Sequence, residues 1–118
     1  MISINSTKPA KSEILYGSEN AVKRGIRFMQ NTIIKMDITF DHKAPSIVVQ
    51  LPAYRNGYKD ILARGGKIRC VTEVNPENIQ YCKELLNLAS ELRHLDGLKG
   101  GIAINESTLT VYLQSHPS

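Results

Sequence analysis

Lys67-Ile68-Arg69-Cys70-Val71-Thr72-Glu73-Val74, followed at once by Asn75-Pro76-Glu77, is the stretch on which the fold turns. Ile68, Cys70 and Thr72 alternate with Arg69, Val71 and Glu73, and a period of two predicts a strand with one apolar face. Asn75 is a good N-cap, Pro76 suits the first helical position, and Glu77 puts negative charge where the helix dipole favours it. A strand running straight into a helix start predicts an α/β crossover unit. The helix that follows carries Ile79, Cys82, Leu85, Leu86, Ala89 and Leu92 inward, with Gln80, Lys83, Glu84, Asn87 and Glu91 as its polar stripe.

Upstream the same grammar repeats. Ile14, Leu15 and Tyr16 ahead of Gly17 form a short strand candidate, and Ser18 is a fitting N-cap for a helix to about Asn31. Val22, Ile26 and Met29 recur there at helical spacing, opposite Lys23 and Arg27. Ile34, Met36, Ile38 and Phe40 then alternate with Lys35, Asp37, Thr39 and Asp41, which predicts a second strand. Ile47–Leu51 fits a helical turn or a strand until Pro52 interrupts it. Tyr54, Tyr58, Ile61 and Leu62 mark another helix as packing residues, closed by Gly65 and Gly66, although Gly57 weakens its first half.

Downstream, Leu98–Asn105 and Leu109–Leu113 read as two strands joined by a hairpin turn at Glu106, Ser107 and Thr108. Strand, helix, strand, helix, strand, helix and hairpin together imply an α/β fold: a mixed, largely parallel sheet with helices packed on it. The expected organisation is a flexible polar tail over residues 1–12, one domain over 13–113 and a second flexible tail over 114–118. A chain of 118 residues is long enough to hide roughly two-thirds of its unfolded surface in one core.

Composition narrows the partners. No apolar run exceeds three residues, which argues against a membrane span or a signal-peptide core. The net charge of +4 is concentrated before residue 37, where six basic side chains face two acidic ones; the remainder is balanced at nine of each. A basic stripe interleaved with aromatics is missing, so nucleic acid is an unfavoured partner, and Lys23, Arg24 and Arg27 read as a solvated helix face. Cys70 and Cys82 form no C-x-x-C pair, and His42, His94 and His116 lack metal-ligand spacing. Buried free thiols, no metal, no cofactor and a reducing, cytoplasmic setting are the expectation.

Three blocks carry a family resemblance: Leu15-Tyr16-Gly17-Ser18-Glu19-Asn20-Ala21, the run Gly66 to Val74 continuing through Asn78-Ile79-Gln80-Tyr81-Cys82-Lys83-Glu84-Leu85, and Glu91-Leu92-Arg93-His94-Leu95-Asp96-Gly97-Leu98-Lys99-Gly100. Over about four-fifths of its length the chain resembles the N-terminal sensory region of archaeal, especially thaumarchaeal, two-component histidine kinases. The resemblance implies one half of a phospholipase-D-like fold acting in signal transduction as a sensor domain. The partners it implies are an attached kinase module or a second copy, together with an unknown small ligand or protein.

Catalysis is not expected from these residues. A phospholipase-D half needs His-x-Lys-x-x-x-x-Asp, its histidine as nucleophile and its lysine on the phosphate. Leu98, Gly100 and Asn105 fall at those positions if the final hairpin supplies the strand. His94 as a phosphoacceptor is weakened by Gly97 and Gly100, which close the segment that a long helix would need. The candidate site is instead a binding edge, where parallel strands end and helices begin. Glu73 and Asn75 lie there, Asp37 is on the preceding strand, and Arg93 and His94 come just after the third helix. Arg93 pairing with Glu73 or Asp96 would make it a structural fastener. Two alternatives stay open: a diverged hydrolase or phosphotransfer protein using His94, and a nucleic-acid-associated regulator using the first helix.

Overall fold

The computed structural model describes residues 2–5, 18–106 and 108–112, with side chains for residues 22–106. Its elements in chain order are β1 (Ile2–Asn5), α1 (Ser18–Gln30), β2 (Lys35–Phe40), α2 (Ala44–Gln50), α3 (Pro52–Ala63), β3 (Lys67–Thr72), α4 (Ile79–Leu85), β4 (Glu91–His94), β5 (Gly101–Asn105) and β6 (Thr108–Tyr112). The strands make one sheet in the order β1-β6-β5-β2-β3-β4. β2, β3 and β4 are parallel, and β5 lies antiparallel against β2. That block is the expected mixed, mostly parallel α/β sheet; β6 and β1 extend it by antiparallel pairs.

β3 is built as its alternation requires. Ile68, Cys70 and Thr72 are buried, while Lys67 and Arg69 are exposed. Met36 and Phe40 of β2 and Ala103 of β5 point to the same side, where Phe28, Met29, Val48, Val49, Tyr58, Ile61, Leu85 and Leu88 meet them in one core. The helices lie over that face in the order α1, α3, α2, α4. The opposite face of the sheet carries no helix among the described residues. Among the described residues this is a two-layer arrangement with one open side.

Helix ends follow local chemistry. α3 closes with Gly65 at φ 87°, its N–H donating to Leu62 O while Gly66 N–H donates to Ile61 O. That pair of bonds is the Schellman closure, and the left-handed residue favours glycine. Gly57 within α3 has a packing reason, since a Cβ there would sit 2.6 Å from Met29 Sδ of α1. Arg64 caps the end of α1 by donating to Met29 O and Thr32 O. Pro52 begins α3 rather than breaking a strand, and the ambiguous stretch before it is α2.

Four expectations are corrected. Residues 2–5, assigned to a frayed tail, pair along β6 as β1. The third helix stops at Leu85, because its last turn tightens through Leu88 N–H to Leu85 O and Ser90 then exchanges hydrogen bonds with Ile68. Glu91, Leu92, Arg93 and His94 are therefore a strand, and Leu86 is 55% exposed while Leu85 and Leu88 take the core. Ile34, placed on the inner face of β2, is 64% exposed ahead of the strand. The hairpin strand begins at Gly101 rather than Leu98. The candidate strand at 13–16 and the tail 114–118 lie outside the described residues.

Both cysteines are free and buried. Burial pushes the Cys70 thiol up to about 12 and also raises that of Cys82. A thiol attacks as its thiolate, so the folded protein is expected to resist alkylation at pH 8, with both thiols reacting once urea unfolds it. Mass-spectrometric counting of alkyl groups checks this, and rapid labelling of Cys70 in the native protein would contradict its burial.

Candidate functional site

The carboxyl ends of β2, β3 and β4 are bridged by a network of side chain to backbone bonds. It begins at Asn75, whose Oδ1 accepts from the N–H groups of Glu77 and Asn78. Asn78 answers with its own Oδ1, which accepts from Asn75 N–H at 2.8 Å. This reciprocal pattern resembles a capping box but closes a turn over residues 76–78; the helix starts only at Ile79, with Asn78 as its N-cap, so the start expected at Asn75-Pro76 comes later in the chain. The Asn78 amide nitrogen is spent as well, donating to His42 O at 2.9 Å and Glu73 O at 2.8 Å. At 4% exposure Asn78 is the polar hub of this edge. Thr72, fully buried, donates to Phe40 O and so joins the ends of β3 and β2.

Residues 95–100 cross this edge as a strap. β4 is the outer strand and β5 lies beyond β2, so the connection must pass the ends of β3 and β2. Four contacts hold it and its entry from β4. Leu95 N–H donates to Thr72 O. Gly97 N–H donates to Glu73 Oε1 at 2.7 Å. His94 Nδ1 accepts from Val74 N–H at 2.9 Å, while its Nε2 lies 2.8 Å from Asp96 Oδ1. Gly97 and Gly100 adopt φ of 77° and 75°, the left-handed region that lets the strap turn twice in four residues.

Glu73, Asn75 and His94 of the expected site therefore come together, and Asp37 and Arg93 do not. The reason is strand alternation. Arg93 is the register partner of Val71 and His94 that of Thr72, so these neighbours in sequence leave β4 on opposite faces. Arg93 bonds Glu91 Oε1 through Nε at 2.7 Å rather than Glu73 or Asp96. Asp37 lies on the same open face, gripped by Arg69 through Nε to Oδ1 at 2.6 Å and a terminal nitrogen to Oδ2 at 2.8 Å. Asn78, Thr72 and Gly97 were missed by the sequence reading. The Asn75-x-x-Asn78 spacing is the signal that points to the first of them.

A second buried tie lies at the other end of the sheet. Asn105 donates to Thr32 Oγ1 and Phe28 O, and Glu106 gathers the N–H groups of Ile33, Ile34 and Lys35. Burial alone would raise the Glu106 carboxyl, but the N–H groups of Ile33, Glu106 itself, Lys35 and Ile34 together hold it below its ordinary value. The Arg69 hydrogen bond, outweighing burial, does the same for Asp37, helped by the charges of Arg69 and Lys35. A carboxyl depressed by folding contributes stability that is present above its unfolded pKa of about 4 and lost as pH falls through the folded value. Resistance to urea unfolding is expected to fall progressively below about pH 4. Asp37→Asn and Glu106→Gln should each flatten that acid limb; an unchanged slope in both variants would contradict the assignment.

Among the described residues no group of three or more His, Cys, Asp and Glu is placed to hold a metal ion, and no helix is long and apolar enough to cross a membrane. Set against models of known families, curated proteins and solved structures, the chain matches none.

Proposed function

We propose that this chain is a non-catalytic input or docking domain of a cytoplasmic signal-transduction protein. Its resemblance to the N-terminal regions of archaeal sensor histidine kinases supplies the class, with a phospholipase-D-like half-fold and an attached kinase module as what that class implies. The observation that supports binding over reaction is the state of His94. Its Nδ1 lone pair is used by Val74 N–H, and its Nε2 side faces Asp96. A general base or phosphoacceptor needs a free imidazole lone pair, and in this arrangement His94 is a clasp.

The strap over residues 95–100 is the element that a signal acts on. A ligand or partner that binds the carboxyl edge better with the strap released shifts the population toward the open state, and the attached module reads that shift. Glu73 is the latch, because its bond to Gly97 N–H is charge-assisted and is made directly to the strap. Glu73→Gln is expected to speed hydrogen exchange at Gly97 by about tenfold, the lower end of what a bond to a charged group is worth.

The deciding experiment joins the chain to a histidine-kinase core lacking its own input domain. Autophosphorylation should differ between the wild-type and Glu73→Gln fusions, and the isolated chain should neither hydrolyse bis-p-nitrophenyl phosphate nor take label on His94 from ATP. Equal kinase output from both fusions would remove the input reading. Turnover or labelling abolished by His94→Ala would replace it with a hydrolase or phosphotransfer protein.

A further inference from the structure

The face of the sheet away from the helices divides into two halves. On β2, β3 and β4 it carries Lys35, Asp37, Lys67, Arg69, Glu91 and Arg93. On β5 it carries Ile102 and Ile104, which are 42% and 44% exposed. The antiparallel register continues those two positions through Val111 and Leu109 of β6 to Ile2 and Ile4 of β1. Register thus places six aliphatic residues in two rows across three adjacent strands, beside a charged half. Isolated exposed isoleucines are ordinary, but a contiguous aliphatic block on one sheet face marks a contact surface.

We infer that this block is the seat of an amphipathic helix from a partner protein, with its apolar face on Ile102 and Ile104 and carboxylates along the flank that meets β2 and β3. Size selects a helix. Three strands about 4.8 Å apart and five residues long make a strip roughly 10 Å wide and 17 Å long. One helix, about 10 Å across with about 5.4 Å per turn, covers that strip in about three turns. A second copy of the chain fits poorly, because a stable dimer hides about 800 Å² per partner and the strip offers about a quarter of that in footprint.

Charge selects the flank. Four cations on the neighbouring strands face two carboxylates, and both carboxylates are already engaged, Asp37 by Arg69 and Glu91 by Arg93. Glu106, at the end of β5, is turned to the backbone of Ile33, Ile34 and Lys35. Lys35 lies 4.0 Å from the same Asp37 carboxylate that Arg69 grips, so the face keeps more cations than acids, centred on Lys35 and its register partner Lys67. The chain's own remaining segments do not match that charge, since residues 6–17 hold Lys8 and Lys11 against Glu13, and residues 113–118 hold no acid. Neither of these two segments is therefore the occupant. This inference uses the open face, whereas the proposed input role rests on the carboxyl edge, and either can fail without the other.

Two synthetic peptides of about fifteen residues test it, with leucines at helical spacing and flanks of glutamate in one and lysine in the other. Titrated into the full chain at low salt, the glutamate peptide should shift the amide and methyl resonances of Ile102 and Ile104. The lysine peptide should bind about three- to tenfold more weakly, the worth of two exposed ion pairs. Ile102→Thr/Ile104→Thr, which keeps β-branched residues at exposed positions, should abolish binding without changing the melting temperature by more than a few degrees. Lys35→Glu/Lys67→Glu should reverse the peptide preference. Equal affinity for both peptides, shifts confined to the helices, or no binding would overturn the inference. So would a micromolar dimer in sedimentation that the threonine variant dissociates, which would assign the face to a second copy.

Discussion

Gly101→Ala is expected to destabilise the protein by at least about 3 kcal/mol, at the upper end of what overpacking costs. A Cβ at Gly101 would overlap the carbonyl oxygen of Thr39, and it would lie 3.0 Å from that carbonyl carbon and 3.1 Å from Phe40 Cα. All three are backbone atoms of β2, so no side chain can rotate away. Relief requires β5 to separate from β2 where the strap delivers the chain into the sheet. That seam joins the parallel block to the antiparallel one, and opening it exposes Ala103 and the Asn105 tie to α1. Urea unfolding of the variant measures the cost. A loss under about 1 kcal/mol would show that the two strands are not this close in solution.

The adjacent leucines of α4 give the second large effect. Leu85 is fully buried and Leu86 is 55% exposed, so Leu85→Ala should cost about 2–5 kcal/mol and Leu86→Ala less than about 1 kcal/mol. The helical spacing of Ile79, Cys82, Leu86 and Ala89 alone points to the opposite emphasis for Leu86. The contrast therefore tests where the helix ends as well as what it buries. If α4 ran on to Leu92 in solution, Leu86 would become the costly position.

That helix shows where sequence reading stops. Leu85, Leu86, Ala89 and Leu92 satisfy a period of 3.6, and Leu92 also faces the core from β4, so both structures satisfy the same apolar position. Four residues paired along one side only give β4 too little alternation to announce itself. The error carried directly into the candidate site. Successive side chains are about 100° apart on a helix and lie on opposite faces of a strand, so Arg93 and His94 were grouped when the sheet separates them.

β3 and the glycine closure of α3 were legible because each depends on residues within one or two turns. Asp37 was placed on the correct strand, but its partner Arg69 depends on parallel register, which no local pattern supplies. Ile2-Ser3-Ile4-Asn5 does alternate, yet a strand that short takes its meaning from a partner at the far end of the chain. The strap was illegible for a similar reason: Glu73 and Gly97 meet only because β4 and β5 lie on opposite sides of β2.

The pairing of β1 with β6 also bears on how the molecule assembles. Ile2 meets Val111 and Asn5 meets Thr108, so β1 has no partner until all the elements between it and β6 have been made. The parallel block can form from contacts of moderate range, but the outer strand must close nearly the entire chain as a loop, and long-range pairing of that kind is slow. Until β6 is in place, the segment carrying Ile2 and Ile4 has no strand to pair with. The polar residues that alternate with them, Ser3 and Asn5, keep that waiting edge from being a continuous apolar template.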